Sequence, residues 1–260
     1  MRTDSEGREH LHYTDDGAGD VVLFLHAFPL DGRMWDVQKR ELARNARVVV
    51  PDLAGFGRSM GLTARNSLDE HADDVAGLLD ALAIERASLV GLSMGGYIAL
   101  AFARRHPKRL AALALADTRA APDTPEGKVG RDQNIALVER EGVSSLLERM
   151  LPKLLSNGAS DDVRSLVRAL GSSQSPDAVK GALAAMRDRS DSTPLLGQLD
   201  LPAAVIVGEA DAICPPDEAR AMKAALPRAT LEIIPGAGHL ANLEAPAAFT
   251  GAVRRLLAPL

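Results

Sequence analysis

The stretch Ala87-Ser88-Leu89-Val90-Gly91-Leu92-Ser93-Met94-Gly95-Gly96-Tyr97 leads from a short apolar run into the helix-forming segment YIALAFARR of residues 97–105. It contains the pattern Gly-x-Ser-x-Gly in the strand–sharp turn–helix context of a nucleophile elbow. We expect Ser93 in a strained conformation at this turn, where Gly91 and Gly95 let strand and helix approach closely. The positive end of the helix favours negative charge nearby. The stretch therefore predicts a nucleophilic serine; the alternative is a serine in an ordinary glycine-rich connection.

Apolar runs of strand length recur on both sides of this stretch and alternate with helical patterns. Ser67 and Glu70 form a predicted capping box for the helix before the elbow, which we expect to end near Leu82. Residues 8–14 are interpreted as an edge strand, followed by a turn at residues 15–17. Uninterrupted alternation predicts an α/β fold with a mostly parallel, doubly wound sheet. The apolar runs are VVLFLHAF at 21–28, ARVVVPD at 46–52, LAALALADT at 110–118, PAAVIVGEAD at 202–211 and ATLEIIPGAG at 229–238.

Residues 119–197 break this rhythm, because they contain no strand-like run. Helical spacing of apolar residues predicts amphipathic helices at 143–155, 161–170 and 175–186. The last of these has Ser175 as N-cap and Pro176 at its first position. We therefore expect a helical cap at 119–197 inserted into a core formed by residues 1–118 and 198–260.

Composition narrows the function classes. The 260 residues carry a net charge of −5 with both signs interspersed, which argues against a nucleic-acid partner. The start of the chain does not resemble a signal peptide, and no apolar window approaches the length of a membrane span. Cys214, the single cysteine, excludes an internal disulfide and suits a reducing compartment. We expect a cytoplasmic protein, monomeric or homodimeric, with no membrane partner.

A nucleophilic serine needs a base, and His239 is the best candidate among the six histidines. It follows the run LEIIPGAG in a glycine-rich loop, and ligands of open α/β sheets bind at the carboxyl ends of strands. The other histidines have other expected roles. His26 is interpreted as a residue that orients its loop, and the remaining four as solvated or structural: His10, His12, His71 and His106.

The acid that orients the base should end a strand between the serine and the histidine. Asp211 ends the run AAVIVGEAD, directly before the strand that leads to His239, and is our preferred candidate. Asp117, at the end of LAALALAD, and Glu209 remain alternatives. Asp52 also ends a strand, and we expect a structural hydrogen-bonding role for it.

Backbone N–H groups are expected to form an oxyanion hole. One should belong to Met94, directly after the nucleophile, and the other to Phe28 in the loop after the first buried strand, because Pro29 has no N–H. Cys214 is interpreted as a small buried residue, although a reactive thiol is the alternative. Nothing resembles a metal site, a P-loop or a dinucleotide fingerprint, so no metal and no cofactor are expected.

With these residues assembled, the chain resembles the α/β-hydrolase superfamily over nearly its whole length. The matching segments are HAFP, DLAGFGRS, GLSMGG, GEADAICPP and GHLANLEAP. They are similar to the small esterase and lactonase branch that includes 3-oxoadipate enol-lactonases, in which Gly is commoner at the position of Ala27. The resemblance implies a cofactor-free ester or lactone hydrolase with Ser93, Asp211 and His239 as catalytic triad, and a small-molecule substrate under the cap.

Other functions on this fold stay open. The same triad serves 3-oxoadipate enol-lactonases specifically, C–C bond hydrolases and perhydrolases. A small-molecule receptor without turnover is the alternative from a different class, since a fold does not determine a function. Haloalkane dehalogenases and epoxide hydrolases resemble this fold but carry Asp where this chain has Ser93, so both are disfavoured.

Overall fold

The computed structural model describes the backbone at residues 2–3 and 9–258, and side chains from residue 10 to residue 258. Seven strands form one sheet in the order β3-β5-β4-β6-β7-β8-β9, and all neighbours pair in parallel except β3 and β5. This confirms the predicted mostly parallel α/β sheet. A separate antiparallel ribbon pairs β1, Arg2–Thr3, with β2, Glu9–His10. The sheet strands are β3 Tyr13–Gly17, β4 Val21–Leu25, β5 Arg47–Pro51, β6 Ala87–Leu92, β7 Leu110–Ala116, β8 Ala203–Gly208 and β9 Ala229–Ile234.

The N-terminal edge of the sheet differs from the prediction. The expected turn at residues 15–17 is wrong, because these residues belong to β3 and pair antiparallel with β5. Arg47 on β5 forms a bidentate ion pair with Asp15 on β3. Pairing with a buried neighbour thus prevails over the turn preference of Asp and Gly, since an edge strand can point polar side chains to solvent. Residue 8, where the predicted strand began, lies outside the described residues.

Helices cover both faces of the sheet and create two apolar clusters. On one face α2, α3 and α9 pack over the sheet. On the other face α1 and α11 contact each other, and Trp35 lies between Phe24 and Phe249, with ring centroids 4.9 and 5.6 Å away. Most other core residues are aliphatic, and the further buried aromatic residues include Phe56 and Phe102. The helices are α1 Asp36–Leu42, α2 Leu68–Ala81, α3 Met94–Arg105, α9 Pro216–Ala225, α10 Ala241–Glu244 and α11 Pro246–Leu257.

The start of α2 differs in detail from a capping box. Ser67 Oγ accepts a hydrogen bond from Asp69 N, 3.1 Å away. The Glu70 carboxylate reaches past Ser67 and accepts from Asn66 N at 3.2 Å. Both side chains therefore satisfy backbone donors at the helix start, but not in the reciprocal pairing of the box.

Five helices lie between β7 and β8, in the region predicted to be a helical cap. The predicted helices correspond to α5, α6 and α7, whereas α4 has no counterpart in the prediction, because only Leu137 and Val138 of its 17 residues are buried. The limits of the cap, 119–197, stay a prediction. Among the described residues, no helix is both long and apolar enough to cross a bilayer. The five are α4 Pro125–Glu141, α5 Val143–Leu154, α6 Asp161–Ser172, α7 Pro176–Arg187 and α8 Thr193–Leu196.

His71 on α2 is buried in the core rather than solvated, with 1% of its surface exposed. Neither ring nitrogen has a hydrogen-bond partner among the described residues. Burial, followed by the nearby His26 and Arg65, lowers the pKa of His71 to about 3. Protonation of His71 is therefore much less favourable in the folded protein than in the unfolded chain, where a histidine titrates near pH 6.5.

We expect His71 to make the fold sensitive to acid. Because its folded-state pKa is the lower one, stability falls as the pH drops from about 6.5 towards 3, by about 2 kcal/mol at pH 5. His71→Leu should remove this loss. Its free energy of unfolding should therefore rise relative to that of the wild type as the pH drops from 7 to 5. Urea denaturation at both pH values measures the difference. The prediction would be contradicted if the difference in unfolding free energy between variant and wild type were the same at pH 7 and pH 5.

Candidate active site

Ser93 lies at the junction of β6 and α3 with φ 55° and ψ −113°, a strained conformation for a residue with a side chain. Its N–H donates to the Ala116 carbonyl at 2.9 Å, which ties the turn to β7. A Cβ atom on Gly91 would lie 2.2 Å from the Gly95 carbonyl oxygen, and one on Gly95 would lie 2.1 Å from that of Leu25. The two glycines are therefore required by the close contact of strand, turn and helix.

His239 connects the serine to a carboxylate. Its Nε2 atom lies 2.8 Å from Ser93 Oγ, and its Nδ1 atom lies 2.8 Å from Asp211 Oδ2. All three residues are buried, with 8, 1 and 4% exposed for Ser93, His239 and Asp211. The structure thus brings the three predicted residues into one hydrogen-bonded relay that bulk water hardly reaches.

The loop after β8 fixes Asp211 through its other oxygen. Asp211 Oδ1 accepts hydrogen bonds from Ile213 N at 2.7 Å and Cys214 N at 2.9 Å. With both oxygens occupied, the carboxylate is held in one orientation toward the imidazole. This arrangement can keep the proton on Nδ1 and leave Nε2 as the acceptor for the serine proton.

The two alternative acids bind elsewhere. Asp117, in a left-handed conformation with φ 45°, accepts from Gly208 N at 2.8 Å. Burial, and then the charge of Asp211, raises the pKa of Asp117 well above its ordinary value. The Glu209 carboxylate accepts from Gly236 N at 3.0 Å. Asp117 therefore bridges β7 and the end of β8, and the Glu209 carboxylate binds a turn N–H at the surface.

Asp211, Cys214 and His239 also offer atoms within 4.8 Å of one another, close enough to hold a metal ion. However, both ring nitrogens of His239 and both oxygens of Asp211 are already hydrogen bonded. Burial raises the pKa of the Cys214 thiol to about 12, so the thiolate that a metal prefers is rare at neutral pH. The donor set fits proton transfer better than metal binding.

The predicted oxyanion donors belong to two segments, the start of α3 and the loop after β4. Met94 is the first residue of α3, and the first N–H groups of a helix have no acceptor within the helix. In the loop after β4, Ala27 N donates to Met34 Sδ at 3.2 Å and Leu30 N donates to the Ala27 carbonyl at 2.9 Å. Since Pro29 has no N–H, Phe28 N is the remaining donor of that turn.

His26 and Asp52 support this loop, which we call the oxyanion loop, residues 26–31. His26 Nε2 accepts from Leu53 N at 3.1 Å, and burial lowers the pKa of His26, which keeps the ring neutral. Asp52 accepts from Gly32 N at 2.8 Å and from Arg58 N at 2.9 Å. Both residues thus have the loop-holding contacts expected of them.

Sequence reasoning missed two residues directly after β7. Thr118 Oγ1 donates to the Ser93 carbonyl at 2.8 Å and thereby braces the strained turn. The Arg119 guanidinium donates to the Ile213 carbonyl in the loop that carries Asp211. Their position at the carboxyl end of a strand next to the elbow is a signal that could have identified them.

Glu244 was missed as well, and it joins the histidine loop to the helical region. One carboxylate oxygen accepts from Gly238 N at 3.0 Å, next to His239. The other accepts from the hydroxyl group of Ser156, which follows α5. Leu240 N also donates to the Leu154 carbonyl at 3.1 Å. The histidine loop is therefore anchored to the end of α5.

Known proteins share this architecture. The family model described as the alpha/beta hydrolase fold matches residues 20–246. A thermophilic esterase from Thermogutta terrifontis, solved with malate bound, has a TM-score of 0.92 and 43% identity, covering 95% of this chain and 92% of its own. The enol-lactonase from Burkholderia xenovorans LB400 has a TM-score of 0.86 and 29% identity, covering 95 and 96%.

Curated sequences agree with the structures. The putative carbamate hydrolase RutD from Caulobacter sp. (strain K31) is 32% identical over 237 residues, which is 87% of this chain and 86% of that protein. A second relative is longer: the dihydrolipoyllysine-residue acetyltransferase component of the acetoin cleaving system from Pseudomonas putida is 31% identical, and the match spans 87% of this chain but 60% of that protein.

Proposed function

Because this chain belongs to the α/β-hydrolase family, we propose that it hydrolyses small carboxylic esters or lactones with Ser93 as nucleophile. The observation that carries the proposal is the unbroken relay from Ser93 Oγ through His239 to Asp211, with both contacts at 2.8 Å. A serine hydroxyl is a weak nucleophile until a positioned base accepts its proton, and the relay supplies that base.

In the first half-reaction Ser93 Oγ attacks the substrate carbonyl carbon while His239 Nε2 takes the hydroxyl proton. Asp211 stabilises the imidazolium that forms. The N–H groups of Phe28 and Met94 donate to the oxygen that becomes negatively charged, and each such donor contributes about 3–4 kcal/mol. His239 then gives the proton to the leaving alkoxide oxygen as the C–O bond breaks, which leaves an acyl-enzyme.

In the second half-reaction water takes the place of the leaving alcohol. His239 removes a proton from the water molecule, and the water oxygen attacks the acyl carbon. The ester bond between the acyl group and Ser93 Oγ then breaks. The proton returns to Ser93 Oγ, so the enzyme is restored and a carboxylic acid leaves. In a lactone, alcohol and acid remain one molecule.

Substrate size and class follow from the burial of the relay and from the relatives. Ser93 is 8% exposed, which favours small acyl groups. The likeness to the Thermogutta terrifontis esterase favours an ester, and the likeness to an enol-lactonase supports a lactone as the second candidate.

The single cysteine, free and buried, is compatible with our proposal of a cytoplasmic enzyme.

A small fluorophosphonate tests the proposed nucleophile. We expect intact-protein mass spectrometry to show one adduct on wild-type protein, with fluoride as leaving group, and peptide mapping to locate it on Ser93. Ser93→Ala should remain unlabelled and His239→Ala should react at least about a hundredfold more slowly, because the base is gone. Untreated wild-type protein is then assayed with short aryl esters and with lactones, and the fluorophosphonate should abolish whichever activity is found.

Two outcomes would contradict the proposal. An unlabelled, folded wild-type protein without activity on either substrate class would favour a receptor that binds without turnover. An adduct that persists in Ser93→Ala would assign the nucleophile to another side chain.

A further inference from the structure

Gln174 lies in the short connection between α6 and α7, far along the chain from the relay, and is 4% exposed. Its Nε2 atom donates to Asp31 Oδ2 at 2.9 Å and to the Leu170 carbonyl at 2.7 Å. Its Oε1 atom accepts from Gly57 N at 2.8 Å. One amide therefore contacts the helical region and two loops of the sheet edge.

Asp31 is the residue through which Gln174 reaches the oxyanion loop. It lies three positions after Phe28, and its side chain is fully buried. Asp31 Oδ1 accepts from Arg33 N at 3.0 Å, and Arg33 also pairs with the carboxylate through its guanidinium. Burial raises the pKa of Asp31, but the bonds from Arg33 outweigh it and hold the pKa below its usual value. Asp31 is therefore a charged anchor for the end of the loop.

The contacts close into a ring. From Asp31 the chain passes to Gly32, whose N–H donates to Asp52 at 2.8 Å. Asp52 also accepts from Arg58 N, next to Gly57, which donates back to Gln174. The ring fixes the oxyanion loop from two directions, and Gln174 is its member from the helical region.

The amide group is chemically suited to this place. It must donate to a carboxylate and accept from a backbone N–H at the same time. An apolar side chain does neither and leaves buried polar groups unsatisfied. A charged carboxylate accepts from Gly57 but repels Asp31. A protonated carboxyl group can also do both, because its O–H donates in place of the amide NH₂ and its carbonyl oxygen accepts.

We infer that Gln174 is a positioning residue for the oxyanion hole. By holding Asp31, Gln174 determines where the oxyanion loop places Phe28 N. It thereby couples the position of the helical region to stabilisation of the oxyanion. The inference rests on the proposed function. A positioning role predicts that variants of Gln174 lose transition-state stabilisation. Variants of a residue that only stabilises the fold would not show this loss.

The test compares Gln174→Leu and Gln174→Glu with the wild type. The control is Gln198→Leu, at an exposed glutamine whose amide donates to the Pro194 carbonyl within its own segment. Readouts are kcat, KM and the inhibition constant of a small trifluoromethyl ketone, which forms an oxyanion on Ser93. We expect Gln174→Leu to lower kcat and inhibitor affinity together by about ten- to a hundredfold, with KM nearly unchanged.

Gln174→Glu keeps the size of the side chain and adds a pH signature. Its kcat, as a fraction of wild type at the same pH, should be low at pH 8 and rise toward pH 5.5 as the introduced carboxyl group takes up a proton. If the contact only stabilised the fold, kcat per folded protein would equal the wild-type value at both pH values. Gln198→Leu should match the wild type in all readouts.

The outcomes separate the two proposals. If wild-type protein reacts with fluorophosphonate but both Gln174 variants keep wild-type kcat and inhibitor affinity, the positioning role is overturned and the proposed function stands. A loss in melting temperature with no change in kcat overturns it equally. If the wild type neither reacts nor turns over substrate, both proposals fail together.

Discussion

His239→Ala is expected to lower kcat for the best ester substrate by about 10⁴- to 10⁶-fold, with little change in KM. The variant keeps the Ser93 hydroxyl but loses the only side chain that contacts both Oγ and Asp211 in the described structure. Without a base the attack must deprotonate the serine to solvent. Steady-state kinetics measure the loss, and a decrease smaller than about a hundredfold would show that another group takes the proton.

A matched pair of carboxylates sharpens this test. Asp211→Asn should lower kcat by about 10⁴-fold, because the amide can fix His239 in the wrong tautomer. Asp117→Asn changes an equally buried side chain whose bond goes to Gly208, and its kcat should stay within about tenfold of wild type. The reverse order of effects would assign the acid to Asp117.

Gly95→Ala is expected to prevent stable folding. The added Cβ would lie 2.1 Å from the Leu25 carbonyl oxygen and 2.6 Å from the carbonyl carbon, and both are backbone atoms of the interior strand β4. Relief requires β4 and α3 to separate, which we expect to cost more than about 4 kcal/mol, a large part of a typical domain's stability. Soluble yield and urea denaturation measure this cost.

Gly77→Ala, on the adjacent α2, is the matched control. A Cβ at Gly77 meets no atom within 4 Å, so alanine should stabilise the helix by about 0.5–1 kcal/mol. A Gly95→Ala protein with wild-type stability would mean that strand and helix tolerate a wider separation than the structure indicates.

The relay was predictable because its geometry follows from local rules. Strand-length apolar runs end in Ser93, in Asp211 and shortly before His239, and parallel strands bring such ends to one edge of the sheet. Elbow, sheet and helix order could therefore be derived residue by residue. The roles assigned to these side chains stay proposals until the variants are measured.

What the sequence did not reveal depends on partners distant along the chain. Residues 15–17 look like a turn until β5 lies beside them. The α4 helix has too few buried residues for a periodic pattern. Gln174 is an ordinary polar residue until the fold places it against Asp31, which lies 143 positions away. Contacts of this length carry no local signature.

The hydrogen bonds of Glu244 restrict the exchange of the helical region between related proteins. This one carboxylate accepts from Gly238 beside His239 and from Ser156 at the end of α5. A helical region transplanted from a relative would have to bring its own hydroxyl and N–H to this place, or leave the carboxylate partly unsatisfied. Core and helical insertion are therefore expected to be inherited as a matched pair, and substrate range to diversify by changes within the insertion more readily than by its exchange.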